Sequence, residues 1–244
     1  GSVRGLAYSP GDILAYNNAI NQWSLYFDAS NVGVTKALND FVLLPNGSIL
    51  MAFKARVKVL DPAGNTLTIE PHDIARIIPT QTGTNTAGRI EEYFDGSDVA
   101  LSTSSEKIDA LAIRPDGTLL ISTTGAAAVK NGSTTLKAAD EDLLAFRPTT
   151  LGAVTTGTWS LLPNGFDGST LTGMGAENVT AAWRDAANGN LYLALATNFK
   201  VTGISGTSKT VLSVTPAGVV TIFWDAATAG IPGPVDGLHI QMTN

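Results

Sequence analysis

The chain has 244 residues, 44% of them hydrophobic, with no cysteine and a formal net charge of −6. A chain of this length and apolar content buries a real core, as one large all-β domain or two small ones, which excludes a disordered segment. The missing cysteines exclude a disulfide framework, a thiolate nucleophile and Cys-ligated zinc. No basic patch recommends nucleic acid, and no apolar run approaches the roughly 20 residues that cross a bilayer.

The predicted elements are short and come in groups. The first group is VRGLAYS from Val3, GDILAYN from Gly11 and QWSLYFD ending at Asp28. The second is ALNDFVLLPNG from Ala37, SILMAFK from Ser48, HDIARIIP from His72 and RIEEYFD ending at Asp95. KIDALAIRPDG from Lys107, TLLISTT from Thr118, EDLLAFRP from Glu141 and WSLLPNGFD ending at Asp167 repeat that pattern. So do NVTAAWRDAANG from Asn178, NLYLALA from Asn190, KTVLSVTP from Lys209 and VVTIFWD ending at Asp225, after which PVDGLHI from Pro234 stands alone. Asn-Gly and Asp-Gly turns join the first two members of each full group, a strong hairpin signal. Each group ends on an aromatic followed by Asp, so the repeat is a supersecondary unit.

The N-terminal group lacks a first strand and the C-terminal segment supplies only a first strand, so together they predict one complete unit. An all-β, four-bladed β-propeller follows. Its blades are 37–95, 107–167 and 178–225. The last blade is closed by the C-terminal inner strand, residues 235–240, together with the N-terminal strands, residues 3–28, in a single domain spanning 1–244.

Between third and fourth strands, Pro79-Thr80 with Gly83, Thr86 and Gly88 matches Pro148-Thr149 with Gly152, Thr155 and Gly157 at the same offsets. These connectors, with FDGSDV and W-S-L-Y-F-D, resemble the tandem β-repeats of secreted bacterial proteins. That resemblance, covering nearly the whole chain, implies a propeller-like fold and a bacterial, secreted or extracytoplasmic location, and is poor in functional content. The low charge, 15%, with Thr, Ser, Gly and Asn at surface positions, suits the same compartment. Gly1-Ser2 reads as a cloning scar, which leaves open the removal of a leader. Hemopexin-like domains share only the blade number.

In a propeller the first strands line the channel, and the long connections 54–71, 124–140 and 197–208 share one face with the loops that enter them, where function is expected. Asn39, Asp109, Thr180 and Asp236 align at the channel mouth. Convergent oxygen donors suit a hard cation, so Asn39, Asp109 and Asp236 are the predicted ligands of a divalent metal, Ca²⁺ first and Zn²⁺ second; hydrogen bonding to backbone within each blade is the other account of the same column. A second column, Asp12, Asp73, Asp142 and Thr210, starts the third strands and reads as blade-internal hydrogen bonding.

Two functions follow. In one, the bound cation polarises a phosphate, phosphonate or carboxylic ester and activates water, with His72 or a rim glutamate, Glu177, moving the proton. Such a site is similar to those of larger calcium-dependent propeller lactonases and phosphotriesterases. In the other, the propeller is a non-catalytic secreted module that binds carbohydrate or protein, with a structural ion. His239 alternates away from Asp236 and reads as packing. The expected partner is a small ester or carbohydrate and the expected state a monomer. No G-x-S-x-G elbow, phosphate loop or HExxH motif is present.

Overall fold

The computed structural model describes residues 1–61 and 63–241, and among them there is no α-helix, only strands and four short 3-10 turns. The chain opens with a small hairpin, β1 (Ser2–Val3) and β2 (Leu6–Ala7), then a two-stranded sheet, β3 (Ile13–Asn17) and β4 (Gln22–Phe27). Three six-strand units follow. The first holds β5 (Leu38–Leu43), β6 (Ile49–Phe53), β7 (Val57–Leu60), β8 (Thr66–Ile69), β9 (Ile74–Gln81) and β10 (Ala87–Phe94). The second holds β11 (Ile108–Ile113), β12 (Leu119–Thr123), β13 (Ala127–Asn131), β14 (Thr134–Ala138), β15 (Leu144–Thr150) and β16 (Thr156–Ser160). The third holds β17 (Val179–Arg184), β18 (Leu191–Leu195), β19 (Phe199–Val201), β20 (Ile204–Gly206), β21 (Thr210–Val214) and β22 (Val220–Asp225).

In every unit the first, second, fifth and sixth strands make one four-stranded antiparallel sheet, and the third and fourth stand apart as a hairpin. The second strands, ILMAF, LLIST and LYLAL, carry almost no polar residues because both of their faces are covered; all of Ile49–Phe53 is buried. This is the continuous apolar run of a strand packed on both sides. Hydrophobic clusters lie between consecutive sheets. Ile74, Phe94 and Leu50 pack on Ile108, Leu111 and Trp159; Ile13 and Phe27 pack on Phe41 and Met51; Leu143 and Leu120 pack on Val179 and Leu193. The smallest cluster joins Tyr192 and Val211 of the third sheet to Val235 and Leu238.

The spaced connector is an inter-sheet fastening. Gly83, at φ 88°, donates its N–H to Tyr26 O, and Thr86 Oγ1 accepts Asp28 N–H. Gly152, at φ 109°, repeats this on Tyr93 O, and Thr155 Oγ1 accepts Asp95 N–H. Each connector thereby seizes the aromatic-Asp end of the preceding sheet. The glycines are needed because these backbone angles are strained for residues with a Cβ.

Two expectations are corrected. VRGLAYS is no second strand. Arg4 (φ 45°) and Gly5 (φ 86°) form a two-residue turn between β1 and β2, matching Thr202 (φ 48°) and Gly203 (φ 86°) between β19 and β20. Both central residues at positive φ define a hairpin turn, so Ser2–Ala7 is the counterpart of the hairpin, and among the described residues β3 pairs only with β4. Residues 235–240 form no strand. They are nevertheless held: Val235 N–H donates to Ser208 O at 3.0 Å, as Leu38, Ile108 and Val179 donate to Pro10, Pro71 and Asp140 at the same distance.

Candidate functional site

The polar column at the start of the inner strands has a local cause. The register of each inner strand against its neighbour slips between Leu38 and Asp40, between Ile108 and Ala110, and between Val179 and Ala181. Asn39, Asp109 and Thr180 are therefore the extra residues of three equivalent β-bulges, which turn a side chain out of the regular alternation. Asn39 Nδ2 donates to Ile108 O at 2.6 Å, and Asp109 Oδ2 accepts from Asn178 Nδ2 at 2.9 Å. Thr180 Oγ1 donates to Val235 O at 3.3 Å, and Asp236 Oδ2 pairs with Lys54 Nζ at 2.7 Å. Each member thus bonds to the following segment of the chain's repeat, whereas the alternative to metal ligation had been hydrogen bonding within the same unit.

Asp40, one residue further on, went unnoticed in the sequence. Its side chain is wholly buried, and it collects four backbone N–H groups. Oδ1 accepts from Phe41 at 2.8 Å and Leu238 at 3.1 Å; Oδ2 accepts from Leu111 at 2.7 Å and Ala182 at 2.9 Å. Phe41, Leu111, Ala182 and Leu238 are equivalent positions of the repeat. Asp40 itself aligns with Ala110, Ala181 and Gly237, and a Cβ on Gly237 would lie 3.0 Å from the Phe41 ring and 3.4 Å from Asp40 Oδ1. One carboxylate occupies a centre that the other three segments leave free. Burial pushes its carboxyl well above the usual carboxylate range, against the pull of the four N–H donors.

Burial also raises the Asp109 carboxyl, with Asp236 and Asp140 adding to it and Asn178 and Lys54 opposing. Asn178 Oδ1, beside it, is buried without a hydrogen-bond partner among the described residues. His72 Nε2 is 3.8 Å from Asp73 Oδ1, and its carbonyl abuts Gly96. Burial raises the Glu177 carboxyl. Among the described residues no hydrogen bond or ion pair joins His72 or Glu177 to Asn39, Asp109 or Asp236, and no group of three or more His, Asp or Glu side chains is placed to hold a metal ion. His239 packs edge-on to Trp183 with centroids 5.9 Å apart, and burial lowers its pKa.

The second column is structural. Asp12, Asp73 and Asp142 each accept two backbone N–H bonds: from Ser9 and Ala29, from Glu70 and Gly96, and from Ala139 and Gly168. Thr210 Oγ1 makes the shortened version, from Thr207. Two shallow depressions of about 290 and 300 Å³ flank the β13–β14 hairpin beside Trp159, and neither is lined by a residue of the two polar columns.

No family model matches the chain, and no curated protein matches it. Solved structures do. PorZ, an essential bacterial surface component of the type-IX secretion system of Porphyromonas gingivalis, matches at 13% identity and a TM-score of 0.32, over 89% of this chain and 30% of that one. The extracellular domain of the putative one-component system BT4673 from B. thetaiotaomicron matches at 9% identity and a TM-score of 0.27, over 91% of this chain and 38% of that one. The chain therefore spans about a third of the length of each of these two structures.

Proposed function

We propose that the chain is a four-bladed propeller, with blades 37–95, 107–167 and 178–225 and a fourth built from 3–28 with 235–240, and that it serves as a non-catalytic binding module of an extracytoplasmic bacterial protein. The four equivalent N–H···O bonds at Leu38, Ile108, Val179 and Val235 support the ring. One observation carries the functional reading: Asn39, Asp109, Thr180 and Asp236 are each engaged by the next blade while Asp40 fills the axis. The Oδ2 atoms of Asp109 and Asp236 are already paired with Asn178 and Lys54, and Asn39 and Thr180 are fixed as donors to Ile108 O and Val235 O, so the column is committed to protein partners. Binding then falls to the face carrying the hairpins β7–β8, β13–β14 and β19–β20. The partner is a protein or a carbohydrate: Trp159 is buried and offers a sugar no ring face, whereas Trp23, Trp183 and Trp224 stay partly exposed.

The partnerless Asn178 Oδ1 favours a second reading, the metal-dependent ester hydrolase. A cation held by Asn39, Asp109 and Asp236 would meet hard oxygen donors of the kind Ca²⁺ takes and would have to displace Lys54 from Asp236. It would supply Lewis acidity at the channel mouth. Hydrolysis of chromogenic phosphate, phosphonate and carboxylic esters, before and after EDTA, with metal quantified on the same sample, separates the two. A folded sample without turnover is expected. Turnover lost on chelation, restored by one cation and abolished in folded Asp109→Ala would overturn the binding reading.

A further inference from the structure

The inner strands β11 and β17 end on the tight-turn face, away from the polar column, and two arginines stand there. The strand register equates Leu43, Ile113 and Arg184, which meet Ile49, Leu119 and Leu191. One residue on, Leu44, Arg114 and Asp185 are equated by a shared turn bond, their N–H groups donating to Ser48, Thr118 and Asn190 O. Alternation sets Arg114 on the side of Ala112 and Arg184 on the side of Ala182. Both alanines belong to the cluster between the second and third sheets, with Leu120 and Leu193, so the two arginines enter that seam from opposite walls. In the seam between the first and second sheets the same two places hold Leu44 and Ile113, both packed on the apolar cluster. An apolar pair in one seam is a pair of guanidiniums in the next.

The cationic pair is not neutralised from within. Arg184 Nη1 is buried with no hydrogen-bond partner among the described residues, and no carboxylate among them pairs with this guanidinium. The side chain lies against the β17–β18 turn, where a Cβ on Gly189 would come within 3.0 Å of its Nη2. Arg114 Nη1 donates to Asn164 O at 2.8 Å, and its Nε is 4.0 Å from Asp116 Oδ1. The nearby acids serve their own turns: Asp116 Oδ1 accepts Thr118 N–H and Asp185 Oδ1 accepts Ala187 N–H. Burial, and then the charge of Arg114, lower the Arg184 pKa. A half-buried pair of like charges with an orphaned N–H is costly unless an anion joins it. The forked donors of arginine match the paired oxygens of carboxylate and phosphate.

We propose that Arg114 and Arg184 form an oxyanion site at the tight-turn end of this seam, taking a carboxylate or phosphate group that bridges the two guanidiniums. The occupant draws Arg184 off the Gly189 turn and brings Nη1 into use. The site lies at the far end of the inner strands from the hairpin face and between two complete sheets, so it is independent of the binding reading above and of how the ring closes.

The test titrates the 244-residue chain with sodium phosphate and, separately, with sodium acetate, chloride holding the ionic strength constant, and follows the arginine Nε–Hε NMR resonances and Tm. Saturable one-site shifts of the Arg114 and Arg184 resonances are expected with at least one of the two salts, and Tm rises by about 3–6 °C at a tenfold excess over Kd. Response to phosphate alone assigns a tetrahedral anion, and response to acetate alone a carboxylate. The double variant Arg114→Leu with Arg184→Ile copies the first seam; it keeps the fold and loses the anion-dependent rise. Arg184→Lys keeps the charge without the fork and raises Kd by about tenfold, the loss of one charged hydrogen bond. Shifts that do not saturate, equal shifts with chloride, or a Tm rise as large in the double variant overturn the proposal. The resonances of the parent and of Arg184→Lys decide the matter even if the double variant fails to fold.

Discussion

Two oxygens of Asp40 gather one N–H from Phe41, Leu111, Ala182 and Leu238, so a single side chain ties together positions far apart in sequence. All four neighbours donate, and a protonated carboxyl would find no acceptor among them. The arrangement therefore favours the anion, in opposition to burial. Asn presents only one oxygen, and its amide N–H₂ would face two backbone donors. Asp40→Asn should lower stability by about 2–6 kcal/mol, at roughly 1–3 kcal/mol for each buried donor left unpaired. The urea midpoint should fall with an unchanged slope. A near-neutral substitution would mean that the site holds a neutral acid. The sequence displayed Asn39, Asp109 and Asp236 because they align as a polar column, and it hid Asp40 because its column is otherwise Ala110, Ala181 and Gly237. The usable signal was that contrast, a lone carboxylate among residues small enough to make room for it. Which residues at the mouth pair with one another was not legible, since the repeat positions of Lys54 and Asn178 hold different side chains in the other units, Thr124 and Ala196 for the first, Ala37 and Lys107 for the second.

At the level of elements, sheets are held to each other by parts that were visible as patterns before their purpose was. The connector with Gly83 and Thr86, and its copy with Gly152 and Thr155, could be read as spaced residues. Its role depends on an isolated parallel bridge to Phe27 or Phe94, a long-range pairing that period and propensity do not encode. Thr155 is 1% exposed, and its Oγ1 both accepts from Asp95 N–H and donates to Gly152 O. Thr155→Val keeps the shape and deletes both bonds. A loss of about 1–3 kcal/mol is expected from the buried amide left behind, with the greatest gain in amide exchange at residues 95–101 and 152–157. Unchanged exchange there would show that the apolar packing of Trp159 alone carries the joint. The hairpin error at Val3 has the same origin. Six residues of mixed polarity fit a strand template, and only the paired positive φ angles of Arg4 and Gly5 distinguish two strands of two residues.

For the molecule as a whole, stability should follow pH through carboxylates that folding has crowded together. Burial, then Asp73, Asp95 and Asp98, push Glu92 from the ordinary value of 4.5 up to about 7. Asp73, Asp109, Glu141 and Asp142 are also raised, each first by burial. An acid whose pKa is higher in the folded chain binds its proton more tightly there. Its contribution is fullest below the unfolded value and is lost as pH rises through the folded one. For Glu92 that window runs from 4.5 to about 7. Arg76 is not free to compensate, being paired with Glu91 on the adjacent strand. Stability should therefore decline between about pH 5 and 7 and then level off. Glu92→Gln, which fixes the uncharged form, should flatten part of that decline and leave the variant more stable than the parent above about pH 7. Urea midpoints of both proteins across this range decide the matter. A variant less stable than its parent at about pH 8, or a decline of undiminished slope, would mean that solvent reaches Glu92 well enough to screen its neighbours.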